Sequence, residues 1–257
     1  MKKIFSLIII FSSQACVHAQ QFISKAVIEY EVKSNIKKTM GNGSFENMLK
    51  DQLQLPQFKT GYCNFTFADN KSIYQFDHWD EQSKKVPQYL RKSDEENVWY
   101  YDYNTGKYNK QKNVYGNNFN VEDSIPKLQW KITNENRIIA GFNCRKAVTI
   151  IFDSAYVFAF YTDEITIPGG PCSINGLPGM ILGVTIPRLY TSWIATKVML
   201  NGVDQNSIRP VSTKKNYSMK DLESMINERT KDWYSDDPSE NKESQEQKAR
   251  FIWGTLL

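Results

Sequence analysis

The sequence predicts a mainly β fold: an antiparallel sheet or open β-barrel, with a short N-terminal helix and a C-terminal amphipathic helix. Three observations lead there. Short aromatic and β-branched runs recur between Asn, Asp, Gly and Pro turns. Their spacing is that of hairpins rather than of βαβ units. Helical spacing of apolar residues is marked in two stretches, Ser44 to Gln54 and Ser218 to Trp233.

The chain opens on a leader. Lys2 and Lys3 form a basic start, Ile4 to Ser12 a short apolar core, and Val17-His18-Ala19 a small-residue cleavage site. That core is too short to span a bilayer. The expectation is a signal peptide over residues 1–19 and an exported, periplasmic or envelope-associated protein beginning near Gln20. A single β-rich domain follows over 20–235, then a polar tail or helix over 236–257. Lipidation at Cys16 is the less favoured alternative, because Ser13-Gln14-Ala15 lacks the aliphatic residue usual before a lipidated cysteine.

Charge narrows the partners. The formal net charge is +4, and removing Lys2 and Lys3 leaves the remainder close to neutral, with acids and bases interspersed. No basic stripe marks a nucleic-acid binder. No later run is apolar for long enough to form a transmembrane segment.

The elements follow in order. Ala26 to Val32 alternates, with Ile28, Tyr30 and Val32 on one face and Glu29 and Glu31 on the other, the pattern of a half-buried strand. Ser44 can cap a helix carrying Phe45, Met48 and Leu49, closed by Pro56. Tyr62–Phe67, Ser72–Phe76 and Val98–Tyr103 are aromatic strands joined through Asp69-Asn70 and Asn104-Thr105-Gly106 turns. Asp77 to Asp94 and Tyr108 to Asp123 are polar enough to predict long exposed connections. Leu128–Thr133, Arg137–Ala140 and Cys144–Phe152 have strand composition. Ala155 to Tyr161 is apolar on both faces, which predicts a central strand covered on each side.

Ile165 to Ile186 is dominated by two Gly/Pro turns, Pro168-Gly169-Gly170-Pro171 and Gly176-Leu177-Pro178-Gly179, ahead of an apolar strand, Met180–Ile186. Gly170, Pro171, Gly176, Pro178 and Gly179 predict a rigid corner between buried strands. Tyr190–Leu200 follows after Pro187-Arg188-Leu189. Ser218 with Asp221 gives a capping pattern for a helix bearing Met219, Leu222, Met225, Ile226 and Trp233, expected to pack on the sheet or close its concave side. Asp236-Asp237-Pro238 breaks it, and Ser239 to Arg250 is almost wholly polar.

Candidate chemistry is sparse. Cys63 and His78, with Asp77 or Asp80, form the one conceivable thiol–imidazole set, without the local signature of a cysteine nucleophile. Asp163-Glu164 suits a hydrolase, yet neighbours on a strand point to opposite faces. With no CxxC and His78 as the only histidine beyond the leader, neither a metal site nor a cofactor is expected. The chain lacks GxSxG, P-loop, HExxH and dinucleotide fingerprints. Three cysteines beyond the leader leave the pairing open; Cys144–Cys172 is preferred because both flank the Gly-rich region. The sequons at Asn42, Asn64, Asn70 and Asn216 are ascribed to an Asn-rich composition. Most of the aromatics belong to the core, but some could line a concave apolar pocket.

Five blocks carry a resemblance: Trp130-Lys131-Ile132, Ile139 to Ala147, Ala159 to Ile165, Gly170-Pro171 and Gly176-Leu177-Pro178-Gly179-Met180-Ile181. Their order and spacing resemble the GLPGLI family of exported proteins from diderm bacteria, strongly over Leu128 to Thr185. Phe142, Phe160 and Met180 stand where that family commonly has Tyr, Trp and Leu, and Cys172 is unusual after Gly-Pro. The resemblance implies a periplasmic β-rich domain, by analogy like the open barrels of lipoprotein carriers, and supplies no catalytic residue.

Function is therefore read as a non-enzymatic envelope module. Its concave face would bind an apolar, lipid or peptide ligand or an outer-membrane protein partner, with Phe160, Tyr161, Leu177, Met180 and Trp193 as candidate contacts. The alternatives are a periplasmic hydrolase using the acidic residues by the Gly/Pro loop, and a scaffold without a ligand.

Overall fold

The computed structural model describes residues 23–41, 44–211, 215–231 and 242–257. The leader with Cys16, the sequon at Asn42, the side chains of Ser44 and Phe45, Trp233 and Asp236-Asp237-Pro238 lie outside the described residues.

The expected alternation sets the first strand, β1 (Ala26–Ser34): Ala26, Ile28 and Tyr30 are buried, and Glu29 and Glu31 are not. β2 (Lys59–Ala68) and β3 (Lys71–Trp79) form a hairpin on Asp69-Asn70, whose φ values of 52° and 57° suit a two-residue turn between twisted strands. β4 (Val98–Asp102), β5 (Lys107–Val114) and β6 (Asn117–Ser124) continue that meander. A second meander comprises β7 (Lys131–Ile139), β8 (Phe142–Ile151), β9 (Ala155–Thr162) and β10 (Met180–Ile186). β11 (Thr191–Met199) then pairs with both β10 and β1, so the two meanders join into one twelve-stranded sheet. Its order is β12-β6-β5-β4-β3-β2-β1-β11-β10-β9-β8-β7, where β12 (Asn216–Tyr217) is the one parallel addition, beside β6. The fold is mainly β, a large open antiparallel sheet with few helices.

Among the described residues five α-helices decorate it: α1 (Ile36–Thr39), α2 (Ser44–Gln52), α3 (Lys92–Glu96), α4 (Met219–Thr230) and α5 (Lys242–Leu256). α4 starts as its sequence predicts. The Ser218 hydroxyl accepts from Asp221 N at 3.1 Å, and the Asp221 carboxylate accepts from Ser218 N at 2.9 Å. Leu222 and Ile226 bury its apolar stripe.

The Gly/Pro stretch joins β9 to β10 and folds inward over residues 163–179, where Ile165, Ile167, Ile174 and Leu177 are buried in the main core. Tyr101 donates to Cys172 O at 3.1 Å, and Trp130 Nε1 donates to Asn175 O at 3.0 Å. Tyr30 donates to Ile181 O at 2.6 Å just beyond the loop. Several expectations need correction. Tyr108 to Asp123 is no exposed connection but the β5–β6 hairpin, because Tyr108, Lys110, Lys112 and Val114 alternate inward. Asp77 to Asp94 starts inside β3 and continues as single helical turns, with Trp79 buried. Leu128–Thr133 and Arg137–Ala140 merge into the irregular β7. β9 is not covered on both sides along its length, since Tyr156 is 52% exposed. The polar 239–250 segment contributes to α5, which is anchored beyond its polar turns by buried Leu256 and Leu257.

Gly179 shows how tightly the loop is seated. Its φ is +145°, and a Cβ there would lie 2.1 Å from Thr162 O. Gly179→Ala is therefore expected to cost on the order of 3 kcal/mol or more, from backbone strain and the clash together. Gly202→Ala, at φ +78° with nothing within 4 Å of the added carbon, should cost only about 1 kcal/mol. Urea denaturation of the two variants checks this, and equal losses would show that the loop is not close-packed.

Candidate ligand-binding site

Inward-facing positions of the first meander converge on a cavity of about 340 Å³ between the sheet and α5. Its floor is the inner face of the sheet: Val32 on β1, Cys63 on β2, Tyr74 and Phe76 on β3, Trp99 on β4, Lys112 on β5 and Trp193 on β11. Strand registers explain the assembly. Tyr30 faces Cys63, and Tyr74 lies opposite Trp99. The Tyr74 and Trp99 rings meet edge to face at 5.3 Å, an arrangement that fixes both.

The roof is the end of α5, contributing Arg250, Phe251, Gly254 and Leu257. Trp99 Nε1 donates to Leu257 O at 3.1 Å, and the Ser173 hydroxyl also donates to that oxygen, so the sheet and the loop hold the helix jointly. α1 with Met40 and the segment from Leu90 to Asn97 close the sides. Lys59 Nζ crosses between them, donating to Asp94 Oδ2 at 2.5 Å and to Leu90 O at 2.8 Å. A glycine sits in this roof: Gly254 is exposed, and a Cβ added to it would meet nothing within 4 Å.

Two buried lysines lie side by side on the inner face. Lys110 and Lys112 are each only 1% exposed. Lys110 donates to Ser173 Oγ at 2.7 Å and lies over the Tyr108 ring at 4.2 Å. Lys112 lies 4.6 Å over the Trp99 ring, and no described group accepts a hydrogen bond from it. Burial disfavours the charged form of each, and its neighbour's charge adds to this for Lys110, so Lys110 falls to about 7 and Lys112 to about 8. Burial also pushes the Cys172 thiol up to about 12 and the Cys63 thiol higher still, so both are inert cavity-wall groups.

The residues singled out in the sequence are scattered across this frame. Trp193 lines the cavity, whereas Phe160, Tyr161, Leu177 and Met180 are buried elsewhere. Phe160 lies under the Arg137 guanidinium at 4.7 Å, and Met180 Sδ receives the Tyr30 hydroxyl at 3.9 Å. Cys63, Cys144 and Cys172 are three free thiols, so the preferred Cys144–Cys172 bridge is not formed. Cys144 is turned toward Phe142 O on its own strand, and Cys172 faces the cavity. Glu164 is taken up by Asn143 N at 3.2 Å, and His78 stacks on Tyr62 at 4.6 Å beside Asp77. β2, β1, β11 and β10 separate β3 from β9, so His78 and the Asp163-Glu164 pair do not converge. α5, rather than α4, covers the concave side; α4 packs on β6 and α5. Among the described residues no three His, Cys, Asp or Glu side chains form a metal-binding group, and no helix is long and apolar enough to cross a membrane. Sequence reading missed Lys110 and Lys112; the signal that could have found them is their period-two spacing with Tyr108 and Val114.

Residues 68–236 match the family model described as N-glycanase peptide, N-terminal domain, well over half of the 257 residues. The chain belongs to that family. Solved structures of PNGF-II are among those similar to this chain. The one in space group C2 is 15% identical with a TM-score of 0.52, covering 78% of this chain and 32% of that one. The one in P21 is 17% identical with a TM-score of 0.49, covering 76% of this chain and 32% of that one. The chain thus spans about a third of the length of these PNGF-II chains. No curated protein matches the sequence.

The buried lysines give this domain a defined pH response. Unfolded lysines titrate near 10.5, so above pH 7 the unfolded chain binds more protons than the folded one. Stability should therefore rise from pH 7 to about 8.5, as the charged-lysine penalty is relieved. For Lys112 alone the penalty is on the order of 3 kcal/mol. Above pH 9 the trend should reverse, because the three thiols ionise only in the unfolded chain. Lys112→Met should flatten the rise and add about 1–3 kcal/mol at pH 7. Chemical denaturation across pH 7–10 measures both, and a flat wild-type profile would refute the burial of these charges.

Proposed function

We propose that this domain is a non-enzymatic, exported binding module of the cell envelope, and that it takes a small apolar ligand in the cavity between the sheet and α5. The cavity itself carries the reading. Its volume falls at the lower end of small-molecule sites, most of its wall surface is apolar, and polar side chains share the lining. Gly254 lies on the lining from α5, and an added Cβ there would meet nothing within 4 Å, so a larger side chain is sterically admissible at the roof.

Membership of the N-glycanase N-terminal family supports a supporting domain rather than a centre of chemistry. The GLPGLI-like blocks over Leu128 to Thr185 fall inside the matched residues 68–236, so the two likenesses describe the same β domain. The leader-like residues 1–19 support export. A second reading is favoured by the family description: the domain assists N-glycan release beside a catalytic domain, by holding the glycosylated chain.

Native purification from a periplasmic extract, with mass spectrometry of what dissociates, tests the first reading. It is expected to release a small apolar molecule reproducibly from the wild type. Gly254→Phe should reduce that yield at least several-fold while leaving folding stability unchanged or raised by up to about 1 kcal/mol. Equal recovery from both proteins, or retention of a glycopeptide instead, would move the assignment to the second reading or away from the cavity.

A further inference from the structure

The cavity's charges are unbalanced. Of the ionisable side chains that line it, Lys59, Lys112 and Arg250 are cationic and Asp94 is anionic; Asp94 is paired with Lys59, and Arg250 with Glu246 outside the lining. The Leu257 carboxylate also lines the cavity, where Trp99 and Ser173 donate to its oxygen, which leaves Lys112 as the lining cation with no ion pair among the described residues. Lys112 is buried, with the Trp99 ring as its contact and no acceptor for its ammonium among the described residues. Arg250 Nε is a buried donor with no hydrogen-bond partner, although its Nη1 lies 3.7 Å from Glu246 outside the lining. A buried, unmatched cation is costly, and such groups are normally paired. Lys112 is such a cation, and with the free Nε donor of Arg250 on the same lining it defines the complement of an acidic head on an apolar body.

We infer that the cavity binds a single-headed organic acid, its carboxylate on Lys112 with Arg250 as second donor, and its apolar body against Phe76, Trp79 and Trp193. The inference rests on the cavity being a ligand site and goes further, in assigning the ligand's head-group chemistry. A carboxylate there would gain charge-assisted hydrogen bonds that neither cation makes within the protein. The aromatic walls would take a chain or ring without polar substituents.

Protonation of Lys112 makes the head-group preference pH-dependent. The groups facing it are Lys110 on its own strand, Asp94 held by Lys59, Cys63 and Tyr74 on β2 and β3, Cys172 on the loop and Arg250 on α5. Burial holds both thiols and the Tyr74 phenol above the range in question, and Lys110 loses its proton first. Lys112 is the group that discharges near pH 8.

Decanoate and decan-1-ol, titrated into the full chain in competition with Nile red, separate head from body. At pH 7 decanoate should bind at least about tenfold more tightly than the alcohol, a difference of about 1.4 kcal/mol. The preference should disappear by pH 9.5, and in Lys112→Met at pH 7. Should that variant fail to fold, the wild-type pH profile decides alone. Equal affinities of acid and alcohol, both abolished by Gly254→Phe, would overturn the head-group assignment while leaving the apolar site intact. Acid preference that survives both pH 9.5 and Lys112→Met would overturn the role of Lys112. Binding of neither compound would overturn the inference together with the proposed function.

Discussion

The architecture depends on hydrogen bonds that sheet aromatics donate to a loop buried inside the sheet's curve. A connection placed in a core must satisfy every backbone group that water would otherwise hydrate. Here Tyr101 of β4 and Trp130 ahead of β7 supply donors to the carbonyls of Cys172 and Asn175. Tyrosine and tryptophan suit this task because each buries a large apolar body and still carries a polar tip. The two donors come from different parts of the sheet, so the loop adds a tie between halves that are joined through the β1–β11 pairing and the Tyr30 bond to Ile181 O. Loop and sheet approach so closely that a Cβ on Gly169 would lie 2.6 Å from the Phe65 ring.

That filling also explains where the cavity lies. Ile165, Ile174 and Leu177 occupy the middle of the concavity, and Cys172 forms part of the cavity wall. The remaining inner surface belongs to β1 through β5 and β11, and α5 roofs it through Phe251 and Leu257. Anchoring the helix by one indole, one hydroxyl and two buried leucines leaves the rest of its underside unfilled. A core selected for stability alone would close that space, since each unfilled volume forfeits dispersion contacts and each buried charge opposes folding. Both features coincide at Lys112, which places the cost of the fold at the site where a ligand would offset it.

The sheet was legible from the sequence wherever one face is apolar and the other polar. β1 shows this alternation, the Asp69-Asn70 hairpin declares itself by turn chemistry, and the Ser218–Asp221 pair marks the start of α4. Legibility failed where polarity and burial disagree. β5 reads KYNKQKNV, and only the observation that Tyr108 and Val114 share a face with the two lysines reveals an inward row. α5 was obscured in the same way, because its polar turns precede the aromatic and leucine anchors that dock it. The Gly/Pro stretch showed that a constrained loop was required, but not that it runs through the core. That placement depends on donors from β4 and the β6–β7 connection, far away in sequence. Of the candidate contacts, Trp193 reaches the cavity because β11 lies beside β1, a neighbourhood that only long-range strand pairing creates.

Family membership and site chemistry constrain function in different ways. A shared fold permits many activities, so the N-glycanase N-terminal likeness alone does not choose a ligand for this concave face. The lining does discriminate. A sugar carries hydroxyls around its whole perimeter, and each would need a partner when desolvated. Trp79, Phe76, Trp193 and Met40 offer almost none, whereas neutral polar groups of the same lining, among them Ser34, Asn97, Asn113 and Thr191, stand beside the cationic Lys112 and Arg250. An acidic molecule with one polar end and an otherwise apolar surface satisfies both walls and cations.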